Sequence, residues 1–315
     1  MTGQSIHVAA GAIADDRGRI LVARRPAGVH QGGLWEFPGG KLEPGEDPTD
    51  GLTRELSEEL GVQVRACRPL IRVHHDYGDR HVLLDVYRVT EFSGEPVGRE
   101  GQPLAWLAPE VMDPAVFPAA DRPIIAALRL PQLYLITGPD PAHPVQFLRR
   151  LGAALDRGVR LVQLRAHGVS EEAYARLAKP AYALCEAAGA RLLLNTDPNL
   201  ARHLPGHGLH LTGERLSRQG ERPVGPGSWC GASCHDAADL RRAVALGLDY
   251  ALLAPVQPTA THPGVEPLGW PRFAELAEPT PLPIYALGGL GAADLDTACA
   301  HGAQGIAAIR GLWPD

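Results

Sequence analysis

The sequence predicts two consecutive domains. Residues 1–129 read as an α+β domain, a mixed sheet with helices, and residues 130–315 as an α/β domain with the element order of a short (β/α)8 TIM-type barrel. Three observations carry this. A length of 315 residues is about two domains' worth. Before residue 130, apolar runs are joined by tight turns with few helices between them. After it, short apolar runs flanked by glycine alternate with helical segments, as strands buried on both faces do.

In the first domain, residues 6–14 and 19–23 read as strands around the turn Asp15-Asp16-Arg17-Gly18. A helix over Pro48–Leu60 has all its punctuation. Asp47 can cap it, Pro48 takes the first helical position, and Gly61 is placed to end it. Leu52, Leu56 and Leu60 form its apolar stripe. Strands at 65–75 and 81–91 follow, and a Pro-rich stretch, 112–123, leads into a short helix over 122–130.

In the second domain the strand candidates are 133–137, 161–165, 191–195, 208–211, 230–233, 250–254, 284–286 and 305–309. Helix candidates lie at 144–157, 170–188, 237–246, 270–276 and 292–300. This order suits a closed barrel. The segment is short beside the ~250 residues typical of that fold, so a doubly wound sheet remains the alternative.

Composition narrows the function classes. With 45% hydrophobic and 21% charged residues the chain can bury a core, which excludes wholesale disorder. Thirty Lys+Arg against 36 Asp+Glu leave a charge of −6, so no duplex nucleic acid partner is expected. No run approaches the ~20 apolar residues of a membrane span. Residues 1–5 carry neither a basic nor an apolar leader, so a cytoplasmic location is expected. The cysteines, five in number and scattered, read as reduced thiols, and Cys230, Cys234 and His235 lack a second ligand pair for zinc.

The most informative segment is the Pro48–Leu60 helix and the loop before it. Glu55, Glu58 and Glu59 stand at i, i+3 and i+4, on one arc beside the leucine stripe. Three carboxylates so placed repel one another, and a hard divalent cation such as Mg2+ removes the conflict. Arg54 can pair with one carboxylate and orient it. A solvated acidic face would need no particular spacing. Here the spacing is Gly40, five residues, Glu46, seven residues, Arg54-Glu55-Leu56, one residue, Glu58-Glu59, one residue, Gly61-Val62.

That pattern matches the Nudix box at every position, and residues 5–130 resemble the MutT branch of Nudix hydrolases, the 8-oxo-dGTP diphosphatases. Leu34-Trp35-Glu36-Phe37-Pro38-Gly39-Gly40-Lys41, Asp79-Arg80-His81, Gly94-Glu95-Pro96, Glu100-Gly101-Gln102-Pro103 and Phe117-Pro118 extend the match in order. The resemblance implies that Glu55, Glu58 and Glu59, with a backbone carbonyl of Gly39 or Gly40, hold Mg2+, with Mn2+ the alternative. Glu100 would serve as a further ligand or base. Arg25, His30, Glu36, Phe37, Pro38, Gly39 and Arg80 would line the site for a nucleoside triphosphate, attacked at the β-phosphorus to release pyrophosphate. One departure is Asp121, where this branch usually has an asparagine that reads the base. An ionised carboxylate only accepts hydrogen bonds. It suits N7–H of 8-oxoguanine but repels O6 unless it is protonated.

Residues 130–311 resemble the thiamine-phosphate synthase and thiazole tautomerase family. The landmarks are Gln163-Leu164-Arg165, Leu194-Asn195, Gly208-Leu209-His210-Leu211, Gly231-Ala232-Ser233-Cys234-His235, Pro255-Val256-Gln257-Pro258-Thr259 and Ala286-Leu287-Gly288-Gly289. Gly288-Gly289 at a strand's end suits close backbone approach to a phosphate. By this resemblance Arg165, Asn195, His235, Gly288 and Gly289 form the barrel site, for a small phosphorylated ligand. The groups that synthase chemistry needs are replaced. Ala166-His167 stand for a lysine, Thr196 and Arg215 for two metal-binding aspartates, and His262 for a second lysine. Loss of these should abolish chemistry on a diphosphate leaving group. His235 is kept where tautomerases carry an acid/base histidine, and an imidazole can move protons near neutral pH.

The reading is therefore a Mg2+-dependent hydrolase of oxidised purine nucleotides with a degenerate thiamine-pathway barrel behind it. Two rivals stay open. One is a bifunctional thiamine-pathway enzyme whose first half hydrolyses another diphosphate. The other makes the barrel a non-enzymatic regulatory module.

Overall fold

A computed structural model describes residues 5–78, 80–138, 141–225, 227–259 and 264–314. The chain forms two compact units with the boundary between Arg129 and Leu130, and the short segment Glu278–Pro281 groups with the first.

The first unit contains β1 (Ser5–Ile13), β2 (Ile20–Arg24), β3 (Trp35–Glu36), β4 (Gly39–Lys41), α1 (Pro48–Leu60), β5 (Gln63–Asp76), β6 (His81–Ser93), β7 (Leu104–Leu107) and α2 (Arg122–Arg129). Its larger sheet has the order β4-β1-β6-β5, with β1 parallel to β6 and the other pairs antiparallel. A smaller antiparallel sheet has the order β3-β2-β7. The mixed sheet is the expected one.

The period of two along β1 splits the core into layers. Ala9 and Ile13 pack with Leu52, Leu56 and Leu60 of α1, whereas Ala10 and Ala12 pack with Ile124, Ile125 and Leu128 of α2. The three helix leucines have no exposed surface, worth about 1.5–3 kcal/mol each. The α1 ends are as the sequence requires. Asp47 accepts a hydrogen bond from the Thr49 amide at 2.8 Å, and Gly61 closes the helix at φ +72°. Strands β3, β4 and β7 are missing from the sequence reading, because two to four residues show no period of their own.

The second unit is a closed barrel of parallel strands in chain order: β8 (Leu133–Ile136), β9 (Leu161–Leu164), β10 (Arg191–Leu194), β11 (Gly208–Leu211), β12 (Trp229–Cys234), β13 (Tyr250–Leu253), β14 (Ile284–Leu287) and β15 (Gly305–Ala308). β15 pairs back onto β8, which removes the doubly wound alternative. The surrounding helices are α3 (Pro144–Asp156), α4 (Glu171–Ala187), α5 (Pro198–Ala201), α6 (Gly213–Arg218), α7 (Ala237–Ala245), α8 (Gly269–Ala277) and α9 (Leu295–Ala300). Of these, α5 and α6 escape the sequence reading, since four and six residues give too few turns for an apolar stripe. Leu135, Val162, Leu192 and Leu209 point outward to the helices, while Tyr134, Leu161, Leu193, Tyr250 and Tyr285 fill the interior.

Candidate active site

Arg54 organises the entrance to α1. Its Nε and Nη2 donate to the two carboxylate oxygens of Glu46, each at 2.9 Å, and Nη2 also donates to the Lys41 carbonyl at 3.1 Å. Nη1 donates to Glu55 at 2.8 Å. The guanidinium holds the Glu46 carboxyl down to about 2. Glu46 lies in the same spaced motif as Arg54, and that spacing is its signal in the sequence.

The carboxylate arc stands against β4. A Cβ on Gly40 would lie 2.2 Å from the Glu55 carboxyl group, so this glycine leaves room for that side chain. The Gly39 amide beside the Glu59 carboxylate acts to lower its pKa. Larger effects oppose it. Burial, and then the negative charges of Glu55, Glu100 and Glu36, push Glu59 up to about 7. Glu58 is the outlier, with 64% of its side chain exposed and Arg54 3.5 Å away.

Glu100 sits on a loop tied to the last turn of α1. The Val97 amide donates to the Leu60 carbonyl at 3.0 Å and the Arg99 amide to the Glu59 carbonyl at 2.9 Å. The Arg99 guanidinium adds a bond to the Ser57 carbonyl at 3.0 Å.

On the other side of Gly39 and Gly40 lies a cavity of about 300 Å3 lined by Arg25, His30, Glu36, Phe37, Arg80 and Asp121 among others. Arg25 pairs with Glu36 and donates through Nε to the His30 carbonyl at 3.1 Å. Tyr77, which carries no signal in the sequence, packs edge-on to His30 at 5.3 Å and joins the lining. Pro38 does not line the cavity. It is buried, and its carbonyl accepts from the Gly11 amide at 2.8 Å. Asp121 is buried in the cavity wall, and its Oδ2 has no hydrogen-bond partner among the described residues. Burial, then the Glu36 charge, raise it to about 8 against the opposing pull of Arg25 and the Phe37 amide.

In the second unit, Arg165, Asn195, His235, Gly288 and Gly289 line one cavity of about 570 Å3. All follow the C-terminal ends of strands β9, β10, β12 and β14, the face where barrels of this kind carry their sites. Gly288 and Gly289 have φ of +108° and +72°, and a Cβ on either would meet Pro255 or Gln257 within 2.9 Å. His235 Nδ1 lies 2.9 Å from the Ala254 carbonyl, which can only accept. Nδ1 therefore carries the hydrogen, and Nε2 is left with the exchangeable lone pair. Arg215 donates to Asn195 Oδ1 at 3.0 Å. His262 lies outside the described residues.

Comparison with known proteins agrees with both halves. The NUDIX domain family matches residues 9–127, and the thiamine monophosphate synthase family matches residues 133–312, more than half of the chain. An 8-oxo-dGTP diphosphatase of Proteus vulgaris is 46% identical over 32% of this chain and 90% of its own length. The 8-oxo-dGTP diphosphatase of Escherichia coli is 36% identical over 40% of this chain and 98% of its own. A putative thiamine-phosphate synthase 2 of Aquifex aeolicus is 32% identical over 58% of this chain and 97% of its own.

The chain is a fusion of the Nudix and thiamine monophosphate synthase families.

The Nudix half is a pyrophosphohydrolase domain, and its family uses divalent metal. The residues fit such an ion. Among the described residues no three carboxylates close on one point. Yet burial, with the charges of Glu55, Glu100 and Glu36 adding to it, raises Glu59 to about 7, and a hard cation would relieve the part that is repulsion. The Gly40 notch beside Glu55 keeps that face open. The synthase half does not fit a metal. Arg215 puts a guanidinium on Asn195, and the side chains lining the cavity include no Asp or Glu among the described residues.

Proposed function

We propose that the Nudix domain hydrolyses oxidised purine nucleoside triphosphates, converting 8-oxo-dGTP to 8-oxo-dGMP and pyrophosphate, and so keeps damaged nucleotides out of DNA. The observation that carries this is the meeting of a carboxylate face and a base-sized cavity at Gly39-Gly40. Glu55, Glu58, Glu59 and Glu100, with a Gly39 or Gly40 carbonyl, would hold Mg2+ or Mn2+, and the ion would screen the triphosphate and polarise a phosphoryl oxygen. Arg54 keeps Glu55 turned toward Gly40. Glu59 and Glu100, which stand near each other, are the carboxylates placed to take a proton from water. Arg25 and Arg80 suit the phosphates. Asp121 in its protonated form offers both a donor and an acceptor, as an amide does, so it can meet O6 and N7–H together. A hydrolysis screen of the whole chain against 8-oxo-dGTP, dGTP and the other nucleotides, with and without Mg2+, tests this. Selective, metal-dependent release of pyrophosphate from 8-oxo-dGTP is the expected result, and a preferred substrate without a purine would overturn it.

We further infer that the barrel keeps a pocket for a small phosphorylated ligand but makes no thiamine phosphate. The Gly288-Gly289 cradle supports the first part, and His167, Thr196 and Arg215 in place of charged synthase residues support the second. A synthase assay of the whole chain with both substrates should show no turnover, and turnover would refute it.

A further inference from the structure

We propose that the barrel cavity holds the phosphate of its ligand directly, by hydrogen-bond donors and without a divalent cation, and that a one-way chain of hydrogen bonds from Arg215 makes Ser233 one of those donors. This rests on the reading that the barrel keeps a ligand pocket without synthase turnover, and it specifies how that pocket works.

The charge of the cavity is the first observation. Arg165, Arg310, His167 and His235 contribute to its lining, and among the described residues no Asp or Glu does. Three carboxylates line the adjoining cleft, and Glu171, at the start of α4, is exposed there. Asp197 accepts from the Asn199 amide at 2.8 Å, and Glu214 pairs with Arg218 at 2.6 Å. Mg2+ needs carboxylate ligands, which this wall does not offer, whereas guanidinium groups bind phosphate oxygens themselves. Arg165 is half-buried, and among the described residues its guanidinium makes no hydrogen bond or ion pair; burial alone acts on it, lowering its pKa. A desolvated cation with no partner in a cavity calls for an anion.

The second observation is beneath the cavity floor. An arginine can only donate, so Asn195 Oδ1 accepts from Arg215 and the Asn195 amide nitrogen must be its donor end. That nitrogen gives a hydrogen to Gln163 Oε1 at 2.9 Å, which turns the Gln163 nitrogen toward the Tyr134 hydroxyl at 3.3 Å. Tyr134 and Tyr250 hydroxyls lie 2.9 Å apart, and the other neighbour they share is His210 Nδ1, 3.1 Å from Tyr250 and 3.5 Å from Tyr134. Two hydroxyl hydrogens therefore have one another's oxygen and Nδ1 to go to, so Nδ1 accepts. Full burial keeps the His210 ring neutral, pushing it down to about 3. The single ring hydrogen is then on Nε2, which donates to Ser233 Oγ at 2.9 Å. Ser233 has received its bond from below, and its own hydrogen is left for the cavity it lines. A donor-only residue at one end thus fixes Asn195 and Gln163, and whichever way the two tyrosine hydroxyls point, His210 Nδ1 accepts and Nε2 donates to Ser233.

Calorimetric titration of the whole chain with inorganic phosphate and with pyrophosphate tests this, first in EDTA and then in Mg2+. Binding counts for the barrel only where Arg165→Gln removes it, which separates it from binding at the Nudix site. Both anions should bind in EDTA, Arg165→Gln should weaken this at least ~10-fold and Ser233→Ala roughly 5–10-fold, and Mg2+ should leave it unchanged. Imidazole nitrogen NMR should show His210 as the neutral Nε2–H tautomer in the native chain and in Arg165→Gln, which also shows that the variant is folded. No Arg165-dependent binding in EDTA would overturn this inference and leave the no-turnover reading standing. Arg165-dependent binding that requires Mg2+ would overturn direct binding, and synthase turnover would overturn the reading beneath it. An Nδ1–H tautomer would overturn the directed chain.

Discussion

Arg54 grips Glu46 through two parallel hydrogen bonds of 2.9 Å, and its remaining nitrogen holds Glu55 at 2.8 Å. One guanidinium thus fixes the loop before α1 to the helix and orients a carboxylate on the proposed metal-binding face. Glu46→Gln keeps the shape but removes the charge that holds the fork. We expect kcat to fall about tenfold with KM little changed, because the fork acts on a carboxylate that matters in the transition state. Steady-state kinetics check this, and a pure KM effect would place Glu46 in nucleotide binding instead.

Glu58→Gln should nearly abolish turnover, by a factor on the order of 100 or more, while leaving the fold intact. The side chain is mostly exposed, and its ion pair with Arg54 is a long one of 3.5 Å, so little packing depends on it. Thermal melting and 8-oxo-dGTP hydrolysis measured together decide the matter. Near-native rates would sink the metal assignment.

Gly40→Ala should displace Glu55, because the new methyl carbon would overlap its carboxyl group at 2.2 Å. Activity should drop at least ~10-fold, a loss of the size seen when a reacting group is misplaced by about an ångström. Circular dichroism should be unchanged. Retained activity would mean that Glu55 can work from another rotamer.

At pH 7 the buried Asp121 is mainly protonated, with its pKa raised to about 8. Asp121→Asn should therefore alter the 8-oxo-dGTP to dGTP ratio of kcat/KM by less than ~3-fold at pH 7. Above pH 8 the native carboxyl ionises and loses its donor, so its preference should decline while that of the Asn variant holds. A buried polar mismatch of ~1–3 kcal/mol would set the gap at roughly 5–150-fold. Parallel pH profiles in the two proteins would show that Asp121 does not read the base.

The same carboxyl bears on stability. Its folded pKa of about 8 lies above the ~4 of an unfolded aspartate. The stabilisation from keeping it protonated is full below pH ~4 and is lost as pH rises through ~8. Asp121→Asn removes this loss, so denaturant midpoints of the variant should gain on the native protein steadily from pH 4 to 8 and level off above. A constant difference across that window would contradict the burial of an ionisable group.

What could be read from sequence follows the reach of local patterns. Asp47, Pro48, Gly61 and the three leucines make α1 legible because cap, stripe and stop all lie within one segment. Strands β3 and β4 are not legible, since their pairing depends on β1 and β2 and on Gly39, whose φ of +149° no local pattern announces. The proposed metal-binding carboxylates of the first domain lie in a spaced motif, and its cavity residues follow from the family resemblance. Of the partners that hold them, Glu46 lies in the motif without showing that it grips Arg54, and Tyr77 carries no sequence signal at all. In the barrel, Tyr134, Tyr250 and His210 sit in ordinary apolar runs, and their meeting in the interior is a product of closure alone.

The ties from Val97 and Arg99 to the end of α1 bear on how the domain moves. The amide hydrogens of these two loop residues are held by Leu60 and Glu59 carbonyls that the helix itself leaves over at its C-terminus. Glu100 cannot swing away unless those bonds break, and breaking them exposes the last helical turn. The loop and the helix end therefore open as one cooperative unit, and solvent hydrogen should reach the Arg99 amide no faster than it reaches the amides of that turn.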